Sequence, residues 1–203
     1  MVDRVVIGEF FNKIYDIPLL YCAIIAVVLP FAVIAVGYLI ELVGEAFITI
    51  LGMIFSPSIA CGIANYIFIP GVMLHELSHA FVALITGAKV TEIALFKKDG
   101  DSLGHVNFIN RGNAVAVAIQ NIFISSAPMY IGALIVFGCF FWIGLLPASL
   151  IWLKIILGYI GVSMFFHMTM SKADIKVYIK GVPLFIVLIF IIAVVFRLSD
   201  IVA

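Results

Sequence analysis

The chain has 203 residues, of which 66% are hydrophobic, 13% aromatic and 11% charged, and its eleven basic residues balance its eleven acidic ones. A soluble domain carries about 45–50% apolar and about 25% charged residues, so this chain has too little charge to coat a water-exposed surface. Soluble globular, disordered and collagen-like classes are excluded, and the balanced charge removes nucleic acid as a partner.

Mean hydropathy is +1.32. The apolar residues form unbroken runs, whereas a membrane β-barrel alternates apolar and polar residues in segments of roughly ten. The composition therefore predicts an all-α polytopic protein in a lipid bilayer. Cys22, Cys61 and Cys139 stand singly in apolar runs and read as small packing residues, with no disulfide framework and no cysteine metal site.

In chain order, residues 1–17 precede any span. Val2, Val5, Val6, Phe10, Phe11 and Ile14 recur at helical spacing among polar residues, which predicts an amphipathic helix lying in the headgroup plane. Residues 18–40 are the first predicted span. Its apolar stretch, Leu19 to Ile40, is longer than a signal-peptide core, has no small-residue cleavage site, and is kinked at Pro30. Glu41 and Glu45 mark its far end.

From Ala46 to Ile85 the apolar run is too long for one span. Gly52, Pro57 and Gly62 divide it into a short dipping segment over 46–56 and a long helix over about 58–86. Gly87 to Gly112 is the extended polar stretch. Ala114 to Leu146 is apolar with a break at Ser125–Pro128, Pro147 makes a turn, and Ser149 to Met168 is another span. Thr169 to Gly181 is polar, and residues 182–198 hold a last, short span. Gly132, Gly138, Gly158 and Gly161 read as close-packing positions.

The layout has five spans in a single membrane domain, with residues 58–182 as its core. With the N-terminus in the cytoplasm, the inner segments hold Arg4, Lys13, Lys89, Lys97, Lys98, Arg111, Lys172, Lys176 and Lys180, whereas Arg197 falls outside and Lys154 sits just within a span. The positive-inside rule supports that orientation.

The apolar helix over 58–86 contains Pro70-Gly71-Val72-Met73-Leu74-His75-Glu76-Leu77-Ser78-His79-Ala80-Phe81. Histidines four apart lie on one helical face, so both imidazoles can bind a single zinc. The intervening glutamate can then act as general base towards the zinc-bound water. An acid at mid-bilayer costs about 3 kcal/mol on insertion scales, which sets Glu76 apart from an incidental polar residue. The bland alternative is a polar helix–helix contact.

A catalytic zinc takes three protein ligands. After His79 the carboxylates are Glu92, Asp99, Asp101, Asp174 and Asp200, and the remaining histidines are His105 and His167. Asp200 falls on the wrong side of the membrane, and Glu92, Asp99, Asp101 and His105 lie in the polar loop. Asp174 is the favoured third ligand, with His167 as its rival or as an oxyanion donor. Asn121 is a further oxyanion candidate, although an asparagine in a span more commonly bonds a neighbouring helix.

An HExxH in a membrane helix, a polar hairpin-like loop, a span with Ala127-Pro128 and a late aspartate together resemble the site-2 protease group of intramembrane zinc metalloproteases. The likeness is strongest to minimal members without accessory domains and covers about Ile69 to Val182. His75, Glu76 and His79 match strongly. The asparagine that follows the family's Gly-Pro element is absent, and Asp174 sits in Ser171-Lys172-Ala173-Asp174-Ile175 rather than in a Leu-Asp-Gly motif.

The resemblance implies one zinc per chain and cleavage of membrane-anchored protein substrates near the cytoplasmic face. It also implies residence in a membrane, which the compact build suggests is a prokaryotic cytoplasmic one. Two strand-like runs, Val90 to Phe96 and His105 to Ile109, suit pairing with an unwound substrate, with Val90, Ile93, Leu95, Val106 and Phe108 as candidate contacts. Besides substrate and bilayer, a second copy of the chain is an admissible partner. The competing readings are a catalytically inactive metal-binding adaptor or chaperone, and a transporter, which would show repeated halves that the sequence lacks.

Overall fold

In a computed structural model the chain is described over residues 18–62, 66–95 and 104–202. The amphipathic helix expected over residues 1–17 and the loop residues Lys97, Lys98, Asp99 and Asp101 lie outside the described residues.

The architecture is helical with one small hairpin. In chain order it comprises α1 (Pro18–Ile54), α2 (Pro57–Gly62), α3 (Ile69–Ile85), β1 (Lys89–Ala94), β2 (His105–Ile109), α4 (Ala114–Ser125) and α5 (Ala127–Leu145). A 3-10 turn (Ala148–Leu150), α6 (Ile151–His167) and α7 (Lys172–Val202) follow. Among the described residues four segments are long and apolar enough to cross a bilayer: Leu19–Ile54, Ala127–Leu145, Ala148–His167 and Lys172–Phe196. Their outer faces carry large exposed apolar side chains, such as Leu134, Phe137, Trp142 and Ile155. Water would not tolerate such a contiguous surface, whereas lipid is its natural solvent.

Three boundaries differ from the sequence expectation. α1 does not stop at Glu41 and Glu45 but runs unbroken to Ile54, so no separate dipping segment exists over 46–56. Glutamate is a good helix former, and charge alone does not end a helix. At about 1.5 Å per residue α1 is about 55 Å long, well beyond a hydrocarbon core of about 30 Å. The helix expected over 58–86 is two helices, α2 and α3, and α3 and α4 are apolar but shorter than the four longest segments among the described residues. Finally, α7 begins at Lys172, which folds the expected polar stretch into the last span and makes that span long. Lys172, Lys176 and Lys180 recur every fourth residue along one face, while Ile175, Tyr178 and Val182 pack into an apolar cluster with Ile122 and Met170.

The break between α4 and α5 falls where the sequence places it, and so does the hairpin. β1 and β2 pair antiparallel, Lys89 with Ile109 and Ala94 with His105, with a bulge between Val90 and Glu92. The bulge shifts the side-chain alternation. Val90 and Phe108 pack on the cluster of Val82, Ala83, Ala88, Ile124 and Ala127, whereas Ile93 points outward. Leu95 lies just beyond the strand.

α3 is the hub, packed on α4, α5, α6 and both strands, while α7 packs on α1 and α4. The approach of α3 to α6 requires Gly71. Its N–H donates to Ser163 Oγ at 2.7 Å, and Ser163 Oγ in turn donates to Phe68 O at 2.8 Å. A Cβ at Gly71 would overlap the Ser163 carbonyl and stand 2.7 Å from His167 Nδ1. Gly132 and Gly161 are also packed closely, against Met164 and Cys139 respectively, but Gly138 faces open space and Gly158 meets only an ordinary contact.

Gly71→Ala is therefore expected to destabilise the protein by about 1–3 kcal/mol, the usual cost of overpacking. Gly138→Ala should leave stability unchanged or slightly raised. Thermal unfolding of both variants in detergent checks the pair.

Candidate metal centre

His75 and His79 project from the same face of α3, with ring centroids 4.8 Å apart and planes at 78°. Their Nε2 atoms are 3.2 Å apart. Asp174, in the first turn of α7, places Oδ1 3.4 Å from His79 Nε2 and Oδ2 4.0 Å from His75 Nε2. Among the described residues these three form the group able to hold a metal ion, with one ligand atom from each lying within 4.8 Å of the others.

The hydrogen bonds around the rings decide which nitrogens are available. His75 Nδ1 donates to the carbonyl of His167 at 2.6 Å, and His79 Nδ1 to the carbonyl of Ile124 at 2.7 Å. A carbonyl only accepts, so both Nδ1 atoms carry the protons and both Nε2 atoms present lone pairs. Two lone pairs and a carboxylate thus converge on one point. A proton there serves one contact, whereas a metal ion serves all three.

Two of the three edges match zinc: ligand atoms at about 2.0–2.1 Å from a tetrahedral ion are separated by about 3.3 Å, against 3.2 Å between the two Nε2 atoms and 3.4 Å from His79 to Asp174, while the edge from His75 Nε2 to Asp174 Oδ2 is longer, at 4.0 Å. A carboxylate and two imidazoles form a donor set suited to that ion.

The carboxylate is itself held in place. Asp174 Oδ2 accepts from Ser171 N at 2.9 Å and from Ser171 Oγ at 2.6 Å, while Asp174 N donates back to Ser171 Oγ at 3.1 Å. This reciprocal arrangement is a capping box, which starts α7 and leaves Oδ1 directed at His79. Its signature, Ser-x-x-Asp at 171–174, is readable in the sequence.

Glu76 is 6% exposed and lines, with His75, His79, Asp174, His105 and Phe108, a cavity of about 560 Å³. Gly104 closes over it, since a Cβ there would stand 2.8 Å from Glu76 Cγ. A second cavity of about 400 Å³ adjoins and shares Val106, Asn107, Phe108 and Asp174 with the first. Asn121 lines it with its Oδ1 accepting from Asn110 Nδ2 at 2.6 Å.

A sequence profile of the Peptidase M50B-like family matches residues 45–201, which takes in α3, the hairpin and α7. The chain belongs to the Peptidase M50B-like family. No curated protein and no solved structure matches it. Membership agrees with the resemblance to site-2 proteases drawn from the sequence, and the membrane-spanning helices agree with an integral membrane member of the family.

The remaining expected site residues divide. The His167 imidazole turns back on its own helix, with Nδ1 on the Ser163 carbonyl at 2.9 Å, and what it brings to the cluster is its backbone carbonyl. Val106 and Phe108 line both cavities, whereas Val90, Ile93 and Leu95 line neither. His105, read from the sequence as an ordinary loop residue, sits in β2 and faces the cavity. Gln120, which belongs to no motif in the sequence, is 1% exposed. Its amide bonds Thr86 O and both the N–H and carbonyl of Arg111, tying the end of α3 and the hairpin exit to α4.

Ser171→Ala removes one of the donors that hold Asp174 Oδ2 and should weaken the affinity of the cluster for an added divalent metal such as zinc by roughly 10- to 100-fold. Competition titration against a zinc-binding dye measures it.

Proposed function

We propose that this member of the family is an intramembrane zinc metallopeptidase that hydrolyses peptide bonds of membrane-anchored proteins. The observation that carries the proposal is the pair of Nε2 lone pairs held 3.2 Å apart by two backbone carbonyls, beside the Asp174 carboxylate and Glu76. His75, His79 and Asp174 would hold the ion. Zinc, when bound, supplies a Lewis acid for a peptide carbonyl and makes water acidic near neutral pH.

The chain's own residues do the rest. Glu76, buried and next to His75 in the same cavity, takes the proton from the attacking water at its carboxylate and returns it to the leaving nitrogen. Gly104 and the hairpin limit the water that reaches Glu76. Val106 and Phe108 on β2 form the wall along which an extended peptide lies. The substrate has to be extended, because the carbonyls of a membrane helix are engaged in its own hydrogen bonds. Asn121, in the adjoining cavity, contacts the same peptide further from the scissile bond. The charge distribution supports a site near the cytoplasmic face of the membrane.

Two substitutions test the reading. Glu76→Gln should retain about one zinc per chain yet lower cleavage of single-span reporter proteins in proteoliposomes by roughly 100- to 10,000-fold. Asp174→Ala should lose both zinc and cleavage. Equal cleavage by the parent and Glu76→Gln would reject the peptidase assignment, and an unchanged cellular function of Glu76→Gln would favour the adaptor reading instead.

A further inference from the structure

The cavity of about 400 Å³ beside the ligand cluster has a chemically one-sided lining. From α7 it takes Ala173, Asp174, Val177 and Lys180. Positions three and four apart share a helical face, so Lys180 stands on the face that carries Asp174. Six residues further on, at about 1.5 Å per residue, it lies about 9 Å along the axis from Asp174.

Nothing in the cavity neutralises this lysine. It is exposed and takes part in none of the ion pairs of the described residues. Among those residues Asp174 is the one carboxylate in the lining, and its oxygens already serve His79 and Ser171. Glu92 lines neither cavity and contacts His105 and Asn107 instead. A lysine within a segment able to span the membrane is costly unless it meets water or an opposite charge.

α4 adds a donor to the same lining. Asn121 is 7% exposed, and its Oδ1 is taken by Asn110 Nδ2. Its own Nδ2 makes no hydrogen bond among the described residues and is not one of the atoms closed off from solvent. A free cation and a free amide N–H in one cavity select a carboxylate, which accepts from both.

Val106 and Phe108 line this cavity and the one that holds Glu76, so a peptide lying along β2 passes from one to the other. An extended chain rises about 3.3 Å per residue, which makes 9 Å about three residues. A carboxylate released by cleavage would remain at the ligand cluster, so the occupant that suits Lys180 is a side chain. We propose that this cavity is a subsite for an aspartate or glutamate of the substrate, about three residues from the scissile bond, with Lys180 as its counter-charge and Asn121 Nδ2 as its hydrogen-bond donor. The inference rests on the peptidase reading above and adds a sequence preference to it.

The test uses the zinc-loaded full chain in phosphatidylcholine vesicles with single-span reporter proteins. Glu, Gln or Lys is placed in turn at each of the four positions on either side of the cut. In the parent, Glu at one of these positions should raise kcat/KM roughly fivefold over Gln, the upper range for a solvent-accessible ion pair, and Lys should lower it. Lys180→Arg should keep that preference. Lys180→Gln should bring the Glu-to-Gln ratio to about one, and Lys180→Glu should favour the Lys reporter.

A parent indifferent to charge at every position overturns the proposal, as does a preference for Glu retained in both Lys180→Gln and Lys180→Glu. Loss of all cleavage in those two variants overturns it too, because Lys180 then serves the site as a whole. Cleavage that depends on Lys180 and on added phosphatidylglycerol, but not on the reporter residue, assigns the cation to a lipid headgroup instead. A zinc-loaded parent that cleaves no reporter rejects the peptidase reading itself, which distinguishes the two failures.

Discussion

The site depends on two backbone carbonyls. His167 O and Ile124 O each take the Nδ1 proton of one histidine, and in doing so turn both Nε2 lone pairs towards Asp174. Without those acceptors the rings could rotate or change tautomer, and the i,i+4 spacing on α3 would bring two imidazoles near each other without aligning them. With them, the geometry of the His75, His79 and Asp174 cluster is set by main-chain atoms at the ends of packed helices.

Those carbonyls are available because helices end there. His167 is the last residue of α6 and Ile124 lies in the last turn of α4, where carbonyls lack partners within the helix. Asp174 comes from the first turn of α7, where N–H groups are unpartnered and a capping box is favoured. A bilayer tolerates irregular backbone only when it is buried in protein. Collecting three helix ends around α3 meets that requirement and supplies the polar atoms a metal centre needs. The close contact of Gly71 with Ser163, one helical turn before His75, brings the end of α6 within reach.

Much of this was legible in the sequence. The His75–Glu76–His79 spacing identifies a face of α3, elimination among the later carboxylates reaches Asp174, and the alternation around Lys97–Asp101 predicts the hairpin. The break at Ser125–Ala127 is visible in its own residues. What escaped has physical reasons. Glu41 and Glu45 look like the edge of a span, but a helix can leave the membrane without ending. Ser171 and Asp174 read as polar loop residues, although together they start a helix. The acceptor roles of His167 and Ile124 belong to main-chain atoms and leave no residue-type signal. The place of His105 follows from a hairpin register that includes a bulge, which periodicity alone does not reveal.

In the proposed metallopeptidase one zinc is bound by two imidazole nitrogens and one carboxylate oxygen, from His75, His79 and Asp174. X-ray absorption at the zinc edge of the purified, zinc-loaded protein tests this directly. Such a site gives a nitrogen and oxygen shell at about 2.0–2.1 Å with the outer-shell scattering of two imidazoles. A sulfur shell at about 2.3 Å, or no imidazole scattering, would contradict it.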